Sequence, residues 1–404
     1  MAKKGELIVG LDIGTTKVVV AVGEQSPSGE LTILGVGQAP NRGLRKGMVV
    51  DIEQTVGSVR QAVAEAESVA DCHIQSVFAG IAGAHIKAFR SHGMAQIKSG
   101  EVRMEDVAEV LKLARAAAIP EDREVLHVIP QEFVVDRQGG IKVPHGISGR
   151  RLEAVVQIVT ASGTAVQNIN KCAERADLKV SGTLLEALAS AQSVLTEEER
   201  GLGVCLVDIG GGTTDLAVFA DGALVHTAVI PLGGDHLTND IVIGLRTPAQ
   251  DAERLKRDHG CALAEMCGPD ETIDVPSVGD RPPRKMARRI LGGIIEARVT
   301  EILQLVLREI RACGAEEQLT SGLVITGGSS LLTGVEELAE QMLGLIVRRG
   351  EPRLDEAALR DPRLATAVGL VQLGTQAEER AFYLGRPGRG VFSRFGRWLR
   401  ESFT

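Results

Sequence analysis

Aromatic residues and long apolar runs are both scarce in this chain. Its 404 residues include one Trp, one Tyr and eight Phe beside 47 glycines, so its cores must be aliphatic. No apolar run approaches the roughly 18 residues of a membrane-spanning helix, and no segment has the pattern of a signal peptide. The formal net charge of −8 argues against general nucleic-acid binding. We therefore expect a cytoplasmic protein of roughly two to three domains that spans no membrane.

The six cysteines also lack a metal-binding or redox pattern. None of them forms a C-x-x-C pair, and most stand among apolar residues. This distribution is typical of reduced, structural thiols in a cytoplasmic protein. The P-loop pattern G-x-x-x-x-G-K-[ST] is missing as well, which excludes that class of phosphate site.

One motif, in contrast, occurs twice. Its copies are Leu11–Lys17 (LDIGTTK) and Val207–Leu216 (VDIGGGTTDL). In each copy a strand-like run ends in Asp, Gly and Thr follow, and a second strand-like run comes next. A third strand is then predicted at Leu31–Val36 and at Ala223–Ile230. A single copy would be an ordinary polar hairpin turn, but two copies with the same three-strand pattern indicate an internal duplication.

The two turns carry groups that suit a phosphate chain. Glycine lets backbone N–H groups approach an anion, and threonine hydroxyls and a lysine add donors. The predicted phosphate-binding residues are Gly14, Thr15, Thr16, Lys17, Gly210, Gly211, Gly212, Thr213 and Thr214. Because carboxylates repel phosphate, Asp12, Asp208 and Asp215 are predicted to hold Mg²⁺, largely through its water molecules. Asp208 could instead orient an attacking water.

Other segments suit the remainder of a nucleotide. Residues 323–332 predict a strand, a Gly-Gly turn that leaves a flat gap for a planar base, and the start of a helix. In the segment 252–257, one acidic and two basic side chains share a helix face. Such a face suits the hydroxyls of a ribose. The alternative is a solvated, salt-bridged surface. The predicted contacts are Gly233, Gly234, Glu253, Lys256, Arg257, Gly327, Gly328 and Ser329.

Outside these motifs, helical periodicity and short apolar runs predict further elements. Helices are expected over 55–70, 104–118, 164–176, 182–195 and 284–311. Strands are expected over 77–81, 85–89, 125–129, 133–136 and 155–160.

The duplicated turns and the Gly-Gly turn resemble the actin–hexokinase–DnaK superfamily. This resemblance implies an α/β, actin-like ATPase fold in which two duplicated domains enclose ATP and Mg²⁺. In that superfamily the first Asp of each phosphate motif organises Mg²⁺ and water, and residues 363–370 resemble its second connecting helix. The candidate catalytic residues are Asp12, Asp208 and Thr213. No catalytic base is recognisable, so we expect at most slow hydrolysis.

Within this superfamily, the chain resembles the FtsA family of bacterial cell-division proteins. This narrower resemblance is carried by residues 43–52, 62–67 and 81–86, and it covers essentially the whole chain. It implies an actin-like protein that polymerises on the cytoplasmic face of the inner membrane at the division septum. There it would anchor the tubulin-like FtsZ ring. A PilM-like adaptor of pilus assembly and a small-molecule kinase of the same fold are the alternatives, because fold alone does not fix function.

The expected domain organisation follows this family. The segments are 1–83, 163–200 and 364–384 for the first actin-like domain, 84–162 for an inserted α/β subdomain, 201–235 and 315–363 for the second actin-like domain, and 236–314 for an insert in it. In the family, the first insert contacts neighbouring protomers and later division proteins of the membrane, and the second receives the FtsZ C-terminal tail. The candidate tail contacts are Arg284, Lys285, Arg288 and Arg289; a solvated basic face is the alternative.

The carboxyl-terminal residues have a composition of their own. Residues 385–390 read as a flexible linker, and residues 391–404 as an amphipathic helix that lies on anionic inner-membrane lipid. Its apolar face consists of Val391, Phe392, Phe395, Trp398, Leu399 and Phe403, and its basic face includes Arg394, Arg397 and Arg400. The alternative is a terminal helix that docks on its own domain.

Overall fold

The computed structural model describes residues 5–116, 119–279 and 281–375; the predicted linker and terminal helix lie outside them. Its strands are β1 (Glu6–Ile13), β2 (Lys17–Gln25), β3 (Leu31–Pro40), β4 (Leu44–Arg45), β5 (Met48–Val49), β6 (Ser76–Ile81), β7 (Lys87–Gln96), β8 (Arg123–Val135), β9 (Gln138–Ile141), β10 (Arg151–Ser162), β11 (Lys179–Leu185), β12 (Val204–Ile209), β13 (Thr214–Ala220), β14 (Ala223–Ile230), β15 (Thr272–Val275), β16 (Arg284–Ala287), β17 (Leu323–Thr326) and β18 (Val347–Arg349).

The helices complete the architecture. They are α1 (Ile52–Ala70), α2 (Met104–Arg115), α3 (Gly163–Arg175), α4 (Glu186–Val194), α5 (Glu197–Leu202), α6 (Gly234–Leu245), α7 (Ala249–His259), α8 (Arg288–Ala312), α9 (Val335–Leu343) and α10 (Ala365–Thr375), with short 3₁₀ turns between some of them. In the described ranges, no helix has both the length and the apolar character needed to cross a bilayer.

Two five-stranded sheets share one topology. Their strand orders are β3-β2-β1-β6-β11 and β14-β13-β12-β17-β18. In each sheet the first three strands are antiparallel and the last two join in parallel. The internal duplication predicted from the repeated motif is therefore confirmed, and with it the actin-like fold class.

Strand β2 shows why these sheets are built from aliphatic residues. Its residues Val18, Val19, Val20, Ala21 and Val22 are all fully buried. The three even-numbered valines pack with α1 and α3 on one face of the sheet. The two residues between them pack with α10 on the other face. A strand covered on both faces needs an uninterrupted run of apolar side chains instead of an alternating one.

A four-stranded sheet, β7-β10-β8-β9, is inserted between β6 and β11 of the first sheet. The strands predicted over 125–129 and 133–136 are confirmed as strand, but they belong to one continuous strand, β8, which ends at Val135. The register shifts where Val155 faces Glu132 and Val156 faces Pro130. A proline, which has no N–H to donate, is tolerated at such a bulge. The extra residue, Gln131, donates from Nε2 to the carbonyl of Leu224 in β14 at 2.7 Å.

Two predicted helices also begin later than the sequence indicated. The first part of the segment 182–195 belongs to β11, which pairs in parallel with β6, and helix α4 begins only at Glu186. The start of the segment 284–311 is strand β16, paired with β15. Short apolar or mixed runs do not distinguish strand from helix by periodicity alone. The predicted helix over 104–118 ends at Arg115.

Helices α4 and α10 cross in close contact. At Gly369 in α10 a Cβ atom would lie only 1.7 Å from the carbonyl oxygen of Ala189 in α4. Beside this contact, the Ser193 hydroxyl of α4 donates to the carbonyl oxygen of Ala365 at 2.7 Å. Glycine is therefore required at position 369 by the crossing itself.

We predict opposite effects of alanine at two helical glycines. Gly369→Ala forces α4 and α10 apart and should lower the free energy of unfolding by about 1–3 kcal/mol. Gly57→Ala in α1, where a Cβ meets no atom within 4 Å, should raise it by about 1 kcal/mol through helix propensity alone. Urea unfolding measures both. Equal stabilities of the two variants would contradict the packing described here.

Candidate functional site

The two predicted phosphate turns meet face to face. In the first, Gly14 N–H donates to the Lys17 carbonyl at 3.0 Å, and in the second Gly210 N–H donates to the Thr213 carbonyl at 2.9 Å. A Cβ on Gly211 would lie 2.4 Å from Cγ2 of Thr16, and one on Gly212 would lie 2.5 Å from Oγ1 of Thr15. The turns approach this closely because glycine stands on one side of the contact and threonine on the other.

Three aspartates lie behind these turns. Asp12 ends β1 as Asp208 ends β12, and Asp215 faces Asp208 across the β12–β13 ladder. Burial raises the pKa of Asp12 to about 7, although Lys17 lowers it and Asp208 raises it further. Burial, followed by the charge of Asp208, raises the pKa of Asp215 to about 8. These carboxyls carry their charge at a large energetic cost unless a cation joins them.

Asp208 is held by hydroxyl groups from the crossing of α4 and α10. Ser190 Oγ donates to Asp208 Oδ2 at 2.7 Å, and Thr366 Oγ1 donates to the same oxygen at 3.3 Å. Burial raises the pKa of Asp208, and these two hydrogen bonds oppose that rise. The sequence did not indicate either hydroxyl, because both depend on which helices cross.

A fourth carboxyl in the site, Glu186, was also missed by the sequence analysis. It is the first residue of α4. Burial raises its pKa well above the usual value, and the charges of Asp12, Asp215 and Asp208 raise it further. Glu186 directly follows the end of β11 in the first sheet, as the phosphate turn follows β1. Recognising β11 as a strand would therefore have indicated Glu186.

The two carboxylate oxygens of Asp215 differ in their surroundings. Its Oδ1 atom is buried and has no hydrogen-bond partner within the described residues, and its Oδ2 accepts from Thr213 Oγ1 at 2.9 Å. In the same described ranges, no group of three or more His, Cys, Asp or Glu side chains is placed so that it could hold a metal ion. The orphaned Oδ1 is the feature of this acidic group that a hydrated cation would satisfy.

Two of the predicted phosphate residues have other partners. Lys17 Nζ donates to the carbonyl of Arg363 at 2.7 Å, and burial lowers its pKa while Asp12 raises it. Thr214 is fully buried, and its hydroxyl donates to the Leu232 carbonyl at 2.9 Å. Thr214 thus supports the second turn from behind and does not face the first.

The predicted ribose and base residues also come together. Gly234 begins α6, and a Cβ there would lie 2.8 Å from Ser329 Oγ. Lys256 Nζ donates to the Gly234 carbonyl at 3.0 Å and pairs with Glu253 at 2.7 Å. Arg257 pairs more loosely with Glu253 at 3.6 Å, and its side chain is 69% exposed. The three side chains therefore share one helix face and pair with one another, as in the salt-bridged surface that is the alternative, with Arg257 at the rim.

The remaining glycines of the site differ in how much room they have. Gly233 packs on the second turn, where a Cβ would lie 2.6 Å from the Gly210 carbonyl oxygen. Gly327 has φ 83°, and a Cβ there would lie 2.2 Å from Asp208 Oδ1. At Gly328 the nearest atom to a Cβ is Arg363 Cγ at 3.8 Å. A Cβ at Gly328 would thus make only an ordinary van der Waals contact with Arg363.

The four basic residues predicted to bind a partner lie outside this cleft. Arg284 and Lys285 are on β16 and not on a helix, contrary to prediction. The Arg284 guanidinium donates to the carbonyl of Leu245. Arg288 begins α8 and pairs with Glu271 at 2.8 Å. Lys285 and Arg289 are exposed.

Family models match two parts of the chain. Residues 205–369 match the model described as "Cell division protein FtsA". Residues 83–160 match the one described as "SHS2 domain inserted in FTSA", which includes most of the inserted four-stranded sheet.

Solved structures share the fold at low sequence identity. A structure titled "PilM-PilN type IV pilus biogenesis complex" is similar with a TM-score of 0.64 and 17% identity, over 91% of this chain and 98% of the other. MreB5 of Spiroplasma citri bound to ADP is similar with a TM-score of 0.53 and 14% identity, over 94% and 98%. Likenesses this distant show the fold alone.

Full-length relatives are much closer. The "Cell division protein FtsA" of Pseudomonas aeruginosa is 48% identical, with 99% of each chain covered. The protein of the same name from Escherichia coli K12 is 44% identical over 98% of each chain, and that of Bacillus subtilis is 39% identical over 91% of this chain and 83% of its own. The chain belongs to the FtsA family of cell division proteins.

Proposed function

We propose that ATP with Mg²⁺ binds between the two phosphate turns and clamps the two halves of this cell-division protein together. The observation that carries this proposal is the close approach of Thr15 and Thr16 to Gly212 and Gly211, which brings the backbones of the two phosphate turns to one place. Backbone N–H groups of such turns bind phosphate oxygens without a P-loop. MreB5 structures of the same fold are titled as bound to ADP and AMPPNP.

The neighbouring residues supply the rest of the proposed site. Asp12, Asp208 and Asp215 would hold the waters of Mg²⁺, and the cation would offset their mutual repulsion. Glu253, Lys256 and Arg257 would contact the ribose, and the base would lie against residues 327–329. When bound, Mg²⁺ supplies charge neutralisation at the phosphates.

Slow hydrolysis is the most that these residues support. Asp12, Asp208 and Thr213 remain the candidates for organising the reacting water, and Glu186 joins them as a buried carboxyl in the cleft. Because its pKa is raised, Glu186 could accept a proton from water only after a nearby cation or a higher pH had restored its negative charge. ATP would thus act chiefly as a structural ligand and switch.

Two substitutions test the nucleotide site. Asp208→Ala removes a Mg²⁺-organising carboxylate, and Gly328→Asp places a negative side chain where the base would lie. We expect each to weaken ATP affinity at least about tenfold, which corresponds to about 1.4 kcal/mol. The control is Gly201→Asp in α5, where a Cβ meets no atom within 4 Å. Titration with a fluorescent ATP analogue measures all three; unchanged affinity in both site variants would place the nucleotide elsewhere.

We further propose that the ATP-bound protein forms an actin-like filament with copies of itself. A ligand that fixes the angle between two halves also fixes the shape that each copy presents to the next. The inserted subdomain, residues 84–162, would contact neighbouring copies and later division proteins of the membrane. A PilM-like adaptor and a small-molecule kinase are not supported by the family to which the chain belongs.

The terminal segment would hold the filament on the cytoplasmic face of the inner membrane, at the septum. Each arginine near an anionic leaflet contributes about 1 kcal/mol, and each fully buried large apolar side chain about 1.5–3 kcal/mol. Ordering a short helix opposes this, and Gly396 costs about 1 kcal/mol more. A single tail should therefore bind reversibly, and a filament would raise residence by presenting many tails.

The second insert, residues 236–314, would receive the C-terminal tail of FtsZ. Lys285 and Arg289 are exposed and available to an acidic peptide, and the adjacent Ile290 has 49% of its surface exposed. Arg284 and Arg288 hold the β15–β16 hairpin and the start of α8 in place and would support the surface from its edge.

Removing residues 389–404 separates the membrane and FtsZ proposals. We expect the full chain to bring a labelled FtsZ tail peptide to anionic liposomes in a sedimentation assay. The truncated chain should bind the peptide in solution with unchanged affinity but leave it in the supernatant. Lys285→Glu with Arg289→Glu should abolish peptide binding while the protein still sediments with liposomes. Equal sedimentation of the full and truncated chains would refute the membrane role of the tail.

A further inference from the structure

A short hairpin, residues 41–51, contacts the first phosphate turn through Asn41. We call it the 41–51 hairpin. Asn41 is buried, with 3% of its surface exposed. Its backbone N–H donates to the Thr16 carbonyl at 2.9 Å, and its Nδ2 donates to the Gly14 carbonyl at 2.8 Å. Its Oδ1 accepts from Gly43 N–H at 3.0 Å. One buried amide therefore holds the turn and sets the start of the hairpin.

The 41–51 hairpin is itself rigid. Strands β4 and β5 pair antiparallel, and the two residues between them, Lys46 and Gly47, have φ of 52° and 75°, as the tight type I′ turn requires. The base is fixed on α1, because a Cβ on Gly43 would lie 2.2 Å from Thr55 Oγ1. A displacement of Asn41 at the base of the hairpin therefore reaches the Lys46-Gly47 turn at its tip.

The tip of the hairpin touches the chain crossing that leads into the inserted subdomain. This crossing is residues 82–86, between β6 and β7. A Cβ on Gly47 would lie 2.9 Å from Gly83 Cα and 3.1 Å from the Ala82 carbonyl oxygen. Gly83 has φ 129°, and its own Cβ would lie 2.8 Å from His85 Nδ1. The contact is thus backbone against backbone, with no flexible side chain to absorb a shift.

One side chain, Arg123 of β8, links this crossing to strand β10 of the inserted sheet. Arg123 donates to the His85 carbonyl at 2.7 Å and to Thr160 Oγ1 at 2.9 Å. Beside it is a cavity of about 170 Å³, lined in part by Met48 and Val49 of the hairpin. Neither buried ring nitrogen of His85, which also lines the cavity, has a hydrogen-bond partner in the described part of the chain. The crossing therefore has room to move when the hairpin moves.

We propose that the 41–51 hairpin couples nucleotide occupancy of the first phosphate turn to the orientation of the inserted subdomain, with Asn41 as the positioning residue. This inference rests on the ATP binding proposed above. When phosphate binds and orders the first phosphate turn, it fixes the Gly14 and Thr16 carbonyls, and with them Asn41. The hairpin transmits the position of Asn41 to Gly83. By linkage, a partner that fixes the subdomain raises nucleotide affinity by the same factor.

Hydrogen exchange of the full chain, with and without Mg²⁺-ATP, tests the coupling. In the unsubstituted protein, ATP should slow exchange of residues 44–51 and 82–86 at least about fivefold. Gly47→Ala should keep ATP affinity but lose the slowing at 82–86, because its Cβ displaces Gly83. Gly29→Ala is the matched control: Gly29 also has positive φ, 93°, but a Cβ there meets nothing within 4 Å. It should retain the full response.

Asn41→Ala provides a second, independent variant. At saturating ATP it should lose the slowing in both the hairpin and the crossing, while residues 210–213 of the other turn stay protected. Failure of the unsubstituted protein to bind ATP would overturn the proposed function and this inference with it. ATP binding that leaves the exchange of 82–86 unchanged, or a full response in Gly47→Ala, would overturn the coupling alone.

Discussion

The close crossing of α4 and α10 is the contact on which the rest of the site depends. It exists because Gly369 leaves no side chain between the helices. The crossing brings Ser190 and Thr366 to the same oxygen of Asp208, an aspartate of the other half of the molecule. It also places Glu186, at the start of α4, among the acidic residues. Packing in the aliphatic core thereby sets the geometry of a polar cleft.

The electrostatic cost of that cleft gives the nucleotide its proposed role. Burial raises the pKa values of Asp12, Asp208, Asp215 and Glu186, and the charges of neighbouring carboxyls raise those of Asp12, Asp215 and Glu186 further. A cation brought in with ATP would relieve the repulsion between carboxyls contributed by both halves. Binding energy would then go into holding the halves together, which suits a filament subunit better than a rapid enzyme.

The sequence predicted the parts of this fold that depend on local pattern. Repeated Asp-Gly-Thr turns revealed the duplicated sheets and most residues of the candidate site. Elements fixed by distant pairing are harder to predict: the sequence indicates a helix over 182–195, but residues 182–185 belong to β11, which is a strand because it pairs with β6. That error concealed Glu186. Strand β16 was likewise taken for the start of a helix, and the bulge at Gln131 is visible only from its partner strand.

We propose that ATP sets the shape in which this FtsA-family protein polymerises on a membrane. Electron microscopy on anionic lipid monolayers tests it most directly, with Mg²⁺-ATP present or omitted and with an FtsZ tail peptide added or left out. We expect filaments only where both lipid and ATP are present, with the peptide bound along them. Filaments of equal length and number without nucleotide would contradict it.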